Sequence, residues 1–394
     1  MAERNIDFDN ITDRRNTRSL KYDFTKEYGM PGDVLPLWVA DMDFKTSSYV
    51  QDALVRQAGH GIFGYSRERG TYTGAVRRWH KKYYNRVILP EWIVVTPGVM
   101  FAVAAAVNAF TDKNDAVIIQ QPVYYPFRDV VVNNGRRLVV NELYLGGDNR
   151  FHIDYDDFEK KIVNENVKLF ILCNPHNPVA RSWTEDELLR LGDICLKYGV
   201  KVISDEIHAD FVFKGVHTVF AGIKEEYEHI TVTCTSPSKT FNIAGLQISN
   251  IIIADEDMRR RFVKCFRATG YCEPNSMALA ACEAAYLYGD EWYEALRAYI
   301  RKNVEYAGQF ISGNIPGVTV TEHEATYLVW VNFRELGLSD EAIDDMIINR
   351  AGLWLDPGLM FGSGGGGFQR INAACPAAVL ETALDKLKKA FTHI

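Results

Sequence analysis

Between residues 90 and 255 the chain alternates short apolar runs with longer stretches of helical character. The runs are Ile93-Val94-Val95, Ala116 to Gln120, Arg137 to Val140, Leu169 to Cys173, Val200 to Ser204, Ile230 to Cys234 and Asn250 to Ala254. Most are apolar throughout, where a strand with one wet face would alternate with period two. They therefore predict strands covered on both sides. Between them, Val99 to Phe110, Thr184 to Lys197 and Asp257 to Arg267 read as helices, and Thr184 followed by Glu187 forms a capping box. Strand and helix in alternation predict an α/β fold, a three-layer domain on a mostly parallel sheet.

The pattern changes near the end. Long helical stretches at Asp290 to Ser312, Ser339 to Arg350 and Ala377 to His393 surround two strand-like pieces, Val318 to Thr321 and Tyr327 to Phe333. That predicts a second, smaller α+β domain. The first forty-odd residues show little regular pattern. The expected division is an N-terminal segment 1–48 joining the small domain, a large domain 49–287 and a small domain 288–394.

With 394 residues the chain is long for a single core, in keeping with two domains. A net charge of −7 argues against a nucleic-acid partner, because phosphate binding needs a basic face. The charged amino terminus does not read as a secretory signal, and no apolar run is long enough to span a membrane. Seven cysteines without a Cys-x-x-Cys pair predict reduced thiols and a cytoplasmic protein. The nine histidines are not at metal-ligand spacing, so no metal is expected.

Ligands of parallel α/β sheets bind beyond the carboxyl ends of the strands. After Val95 comes Thr96-Pro97-Gly98-Val99-Met100, a turn into a helix whose free N–H groups suit an anion. After Gln120 come Tyr124 and Tyr125, and after Cys173 the turn Asn174-Pro175-His176-Asn177-Pro178. Ser204 is followed by Asp205-Glu206-Ile207-His208, and Cys234 by Thr235-Ser236-Pro237-Ser238-Lys239-Thr240. Taken singly, Lys239 is a solvated cation, Asp205 a strand terminus and Asn177 a turn residue. Gly362 to Gly367 matches Gly-x-Gly-x-x-Gly, but it neither follows an expected strand nor opens an expected helix.

Together the strand ends offer an amine, a carboxylate, an anion nest and a flat ring, the parts that pyridoxal 5'-phosphate requires. Its aldehyde condenses with an amine, a carboxylate keeps its ring nitrogen protonated and its phosphate needs donors. A lysine held away from water has a lowered pKa and serves as nucleophile and base. Ser236 and Ser238 are candidate phosphate donors.

Motifs along the chain carry a resemblance: LPLWVADMDF (35–44), FGYS (63–66), TPGV (96–99), PVYYPF (122–127), CNPHNPV (173–179), SDEIHAD (204–210), SPSKTFNIAGL (236–246) and GFQRIN (367–372). The chain resembles the fold-type I pyridoxal-phosphate enzymes of the aspartate-aminotransferase superfamily, and within them the cystathionine β-lyase (C-S lyase) group. The resemblance implies that Lys239 carries the cofactor, Asp205 pairs with its ring nitrogen, Asn177 bonds its ring oxygen and Tyr124 stacks on the ring. His208 stands where aminotransferases usually have tyrosine, among the cofactor-binding positions. Gly98, Val99 and Met100, with Ser236 and Ser238, would hold the phosphate, and Tyr65 would reach the phosphate of the other subunit of a homodimer with shared active sites. Arg370 would take the α-carboxylate of a small amino-acid substrate, beside Asn177, Tyr124, Val39 and Ala40. Tyr125 is a candidate proton relay. Ala180 stands where glycine is usual, and the glycine run lacks an acidic residue found in relatives, which puts the shape of both loops in question. The activity implied is β-elimination from cystathionine, cystine or cysteine. The rivals are an aminotransferase on the same scaffold and a cofactor-binding regulator.

Overall fold

The computed structural model describes residues 3, 4 and 6–392. Met1, Ala2, Asn5, His393 and Ile394 lie outside the described residues, and with them the expected helix end at His393 and part of the charged amino terminus.

Two helices, α1 (Ser48–His60) and α2 (Gly70–Tyr84), precede a seven-stranded sheet. Its strands are β1 (Ile93–Thr96), β2 (Ala116–Gln121), β3 (Arg137–Glu142), β4 (Val167–Cys173), β5 (Lys201–Asp205), β6 (Thr231–Thr235) and β7 (Ser249–Ile252). They lie in the order β1-β7-β6-β5-β4-β2-β3. Only β7 runs against its neighbours; the other pairings are parallel. All seven fall where the apolar runs place them.

The runs lack alternation because both faces are covered. On one side α3 (Val99–Phe110), α4 (Pro126–Asn133) and α7 (Glu256–Ala268) bury Val103, Phe127 and Phe262 against Val117, Ile119 and Ile171. On the other, α5 (Tyr155–Asn164) and α6 (Glu185–Tyr198) bury Phe158, Leu188 and Leu191 against Ile118, Phe170 and Val202. The α6 capping box forms: Glu187 N donates to Thr184 Oγ1 at 3.3 Å, and Thr184 N donates to the Glu187 carboxylate at 2.8 Å.

After α8 (Ser276–Tyr288) and the 25-residue α9 (Asp290–Asn314) comes an antiparallel sheet of β8 (Thr319–Val320), β9 (Leu328–Asn332), β10 (Asp356–Pro357) and β11 (Phe368–Asn372) in the order β8-β9-β11-β10. It is closed by α10 (Ala377–Phe391). The sequence reading found two of these four strands. Strand β11 escaped it because its buried interior carries Gln369, Arg370 and Asn372, polar side chains where apolar ones announce a strand. The helix expected at Ser339 to Arg350 runs as Asp340–Asp345 and continues as a π-helical turn, Met346–Arg350.

Near the amino terminus, Leu35–Pro36 pairs in parallel with Leu353–Trp354. Phe8 packs edge-on at 5.1 Å from Phe44 and 5.8 Å from Trp292.

Candidate active site

Strands β4, β5 and β6 end within one residue of one another, since Asp205 is in register with Cys173, the last residue of β4, and with Cys234, the last but one of β6. Their ends open onto a cavity of about 580 Å³ whose wall includes Asn177, Asp205 and Lys239. Lys239 rides a helical turn, Pro237–Thr240, in which Ser236 Oγ accepts the Ser238 N–H at 3.0 Å and Thr240 Oγ1 donates to the buried Asp210. The ammonium of Lys239 donates to Ala40 O at 2.7 Å.

Burial holds the Lys239 pKa down at about 8; Arg370 depresses it further, and Asp41 and Asp205 oppose the shift. Burial also pushes the Asp205 carboxyl up to about 7, helped by Glu206, against the Ile207 N–H at 3.1 Å and the Lys239 cation. The amine and the acid are thus drawn toward neutrality from opposite sides. A cationic ring nitrogen beside Asp205 would restore its charge.

Arg370 enters from β11 with only 4% of its surface exposed. Its Nη1 donates to Asn177 Oδ1 at 2.9 Å, its Nη2 to Trp38 O at 3.0 Å, and it forms an ion pair with Asp356. Tyr124, Tyr125, Val39, Ala40 and His208 complete the wall. Burial raises both tyrosine hydroxyls, Tyr124 to about 12. His208 is buried with its pKa far below the usual value, mainly through desolvation, and its Nδ1 has no partner.

At the end of β1, Gly98 adopts φ 105°, a backbone angle that L side chains avoid, and hands over to α3. The first-turn N–H groups of Val99 and Met100 have no intrahelical acceptor and these residues line the cavity, as Ser238 does. Ser236 differs from expectation. Its hydroxyl donates to Ile248 O at 2.6 Å while capping the Lys239 turn, and it is not on the cavity wall, so its hydrogen is committed elsewhere. Tyr65 also stands apart, 99% exposed on the loop after α1. The other thirteen expected residues converge. An amine, a buried acid, a helix N-terminus and an unpartnered imidazole nitrogen fit pyridoxal phosphate.

Sequence reasoning passed over Asp356, Trp38 and Tyr327. Tyr327 OH shares the Ala40 carbonyl with Lys239, at 2.9 Å. Asp356 sits in the two-residue strand β10, within Leu-Asp-Pro-Gly, and becomes visible as a site residue only through its register opposite Arg370. Ala180 takes φ 57° and remains in place because its carbonyl accepts N–H groups of Glu324 and Ala325, both at 3.0 Å. The glycine run is pinned: Arg334 donates to Gly364 O and Gly366 O at 2.9 Å, and Gly367 N donates to Asp340 Oδ1 at 2.7 Å. Among the described residues no cluster of His, Cys, Asp or Glu could hold a metal ion, and no helix is long and apolar enough to cross a membrane.

The model of the aminotransferase class I and II family matches residues 33–387, and the chain belongs to that family. It is 42% identical over 388 residues to the cystathionine beta-lyase PatB of Bacillus subtilis, covering 98% of this chain and all of that one. Among solved structures it superposes on cystalysin of Treponema denticola, which contains pyridoxal 5'-phosphate, with a TM-score of 0.93, 38% identity and 98% coverage of both chains. It also matches a pyridoxal-phosphate-bound chain of Clostridium difficile 630, described provisionally as an aminotransferase, with a TM-score of 0.95, 43% identity and coverage of 98% and 100%.

Proposed function

We propose that this protein is a pyridoxal-phosphate-dependent carbon–sulfur β-lyase that releases pyruvate, ammonia and a thiol from sulfur amino acids such as cystathionine, cystine or cysteine. The observation that carries this reading is the full-length 42% identity to a protein named cystathionine beta-lyase.

Bound at Lys239, the cofactor would supply an electron sink for the pair left when the substrate's Cα–H bond breaks. The residues do the rest. Arg370 and Asn177 would hold the α-carboxylate, and Tyr124 and His208 would hold the ring. Asp205 would hold a negative charge against the ring nitrogen. Lys239, with its pKa near 8, takes the Cα proton as a free amine. As the Cβ–S bond breaks, the sulfur leaves with its electron pair and takes a proton from Lys239 or Tyr125. Water then hydrolyses the three-carbon remainder to pyruvate and ammonia.

We also assign a homodimer with shared sites, supported by Ile62, Phe63 and Tyr65, which stand 69%, 63% and 99% exposed on one loop. Seven free thiols support a cytoplasmic location, the separate seven- and four-stranded sheets support a large domain at 49–287 and a small one at 288–394, and the pairing of Leu35–Pro36 with Leu353–Trp354 supports an N-terminal segment 1–48 that joins the small domain.

Incubation with cystathionine and, separately, with an amino-acid and keto-acid pair tests the reading. Stoichiometric pyruvate and homocysteine with only minor amino transfer is the expected result. Amino transfer faster than pyruvate release from every thioether tested would make the protein an aminotransferase.

A further inference from the structure

A guanidinium offers a carboxylate two forked edges, Nε with Nη2 and Nη1 with Nη2. Both edges of Arg370 use Nη2. In this structure Nη2 is held by Asp356 and by Trp38 O at 3.0 Å, while Nη1 donates to Asn177 and Nε is buried without a partner. No complete fork is free. Asp356 lies opposite Arg370 in the β10–β11 register, equally buried at 3% exposed against 4%, so the pairing is built into the sheet.

We propose that Asp356 is an internal competitor for Arg370, a residue that the substrate's α-carboxylate must displace and that thereby sets how weakly amino acids bind. This rests on the assignment of the α-carboxylate to Arg370. Two anions share one buried cation when substrate arrives, so the site discounts the attraction of any α-carboxylate. The displaced Asp356 charge is then left facing Tyr124 and Tyr125, whose hydroxyls it already helps to hold protonated.

The test titrates the holoenzyme with L-alanine and with ethylamine, which lacks the carboxylate, reading Kd from the visible spectrum. Asp356→Asn keeps the shape and removes the charge. It should tighten L-alanine on the order of tenfold, as expected when a buried charged competitor is removed, and leave ethylamine unchanged. KM for S-methyl-L-cysteine should fall with it while kcat moves less. Asp356→Ser repeats the measurement if the asparagine variant does not fold. If L-alanine binds no tighter in these variants, while Arg370→Ala weakens it, competition is refuted and the Arg370 assignment stands. If Arg370→Ala also leaves L-alanine unaffected, that assignment falls and the proposal with it.

Discussion

Replacing Asp205 with asparagine should stabilise the cofactor-free protein, by an amount that grows with pH. The carboxyl is buried and among the described residues its one hydrogen bond is from the Ile207 N–H, so its pKa stands at about 7 against an ordinary 3.8. The folded state therefore holds this proton more tightly than the unfolded chain. The associated stability is fully present below pH 3.8 and is lost as the pH rises through 7. A gap of about three pH units corresponds to about 4 kcal/mol. Asparagine is nearly isosteric and cannot ionise, so its stability should lack this slope. Urea unfolding followed by tryptophan fluorescence should give an advantage for Asp205→Asn that grows from about 1.5 kcal/mol at pH 5 to about 4 kcal/mol at pH 8. Lys239 has the opposite sign: its lowered value makes stability rise with pH between about 8 and 10.5, so work between pH 5 and 8 avoids it. In the presence of cofactor the ranking should reverse, because the carboxylate then has a cation to pair with. An asparagine variant less stable than wild type at pH 8, or offset equally at every pH, would refute the argument that an uncompensated buried charge is held here for the cofactor.

Purified protein should be yellow, and Lys239→Ala should lose its visible absorbance band; a colourless wild type that gains no band with added pyridoxal phosphate would contradict the cofactor assignment. Refolded mixtures of Tyr65→Phe and Lys239→Ala subunits should regain activity through hybrid dimers in which one site holds both native residues, and no recovery over the separate variants would count against shared sites. Ala180→Gly relieves an L-residue held at φ 57°, and after the added freedom of the unfolded chain it should gain on the order of 0.5–1 kcal/mol in urea unfolding, with activity retained. A loss of stability there would mean that the carbonyl contacts to Glu324 and Ala325 depend on the methyl group.

The large sheet was legible because its strands are covered on both faces, so their apolar runs stand out without alternation. The site was legible because parallel strands deliver their following residues to one edge. What stayed hidden depended on polar residues being buried. Strand β11 carries Arg370 and Asn372 inward, so its pattern is that of a loop. Asp356 acts across a pairing that joins residues 14 apart and has no local signature. Ser236 offered the right chemistry for phosphate, yet a hydroxyl that follows a strand and precedes Pro-Ser is equally a helix cap, and the local backbone took it. The resemblance supplied Tyr65, which nothing in composition or period marks.

The near-level ends of β4, β5 and β6 make the separation of acid and amine a property of the sheet. Neighbouring strands lie about 4.8 Å apart whatever their loops contain. Asp205 and the strand that leads to Lys239 occupy adjacent rungs. Transplanting the glycine run from a relative would therefore alter which molecules enter without disturbing the proton chemistry. Deleting one residue from Lys201–Asp205 would do the reverse: a slip of one position turns every side chain of that strand over, and the carboxyl would point into the opposite layer. For anyone recombining this chain with its relatives, the glycine run is an interchangeable part and β5 is the gauge that must not move.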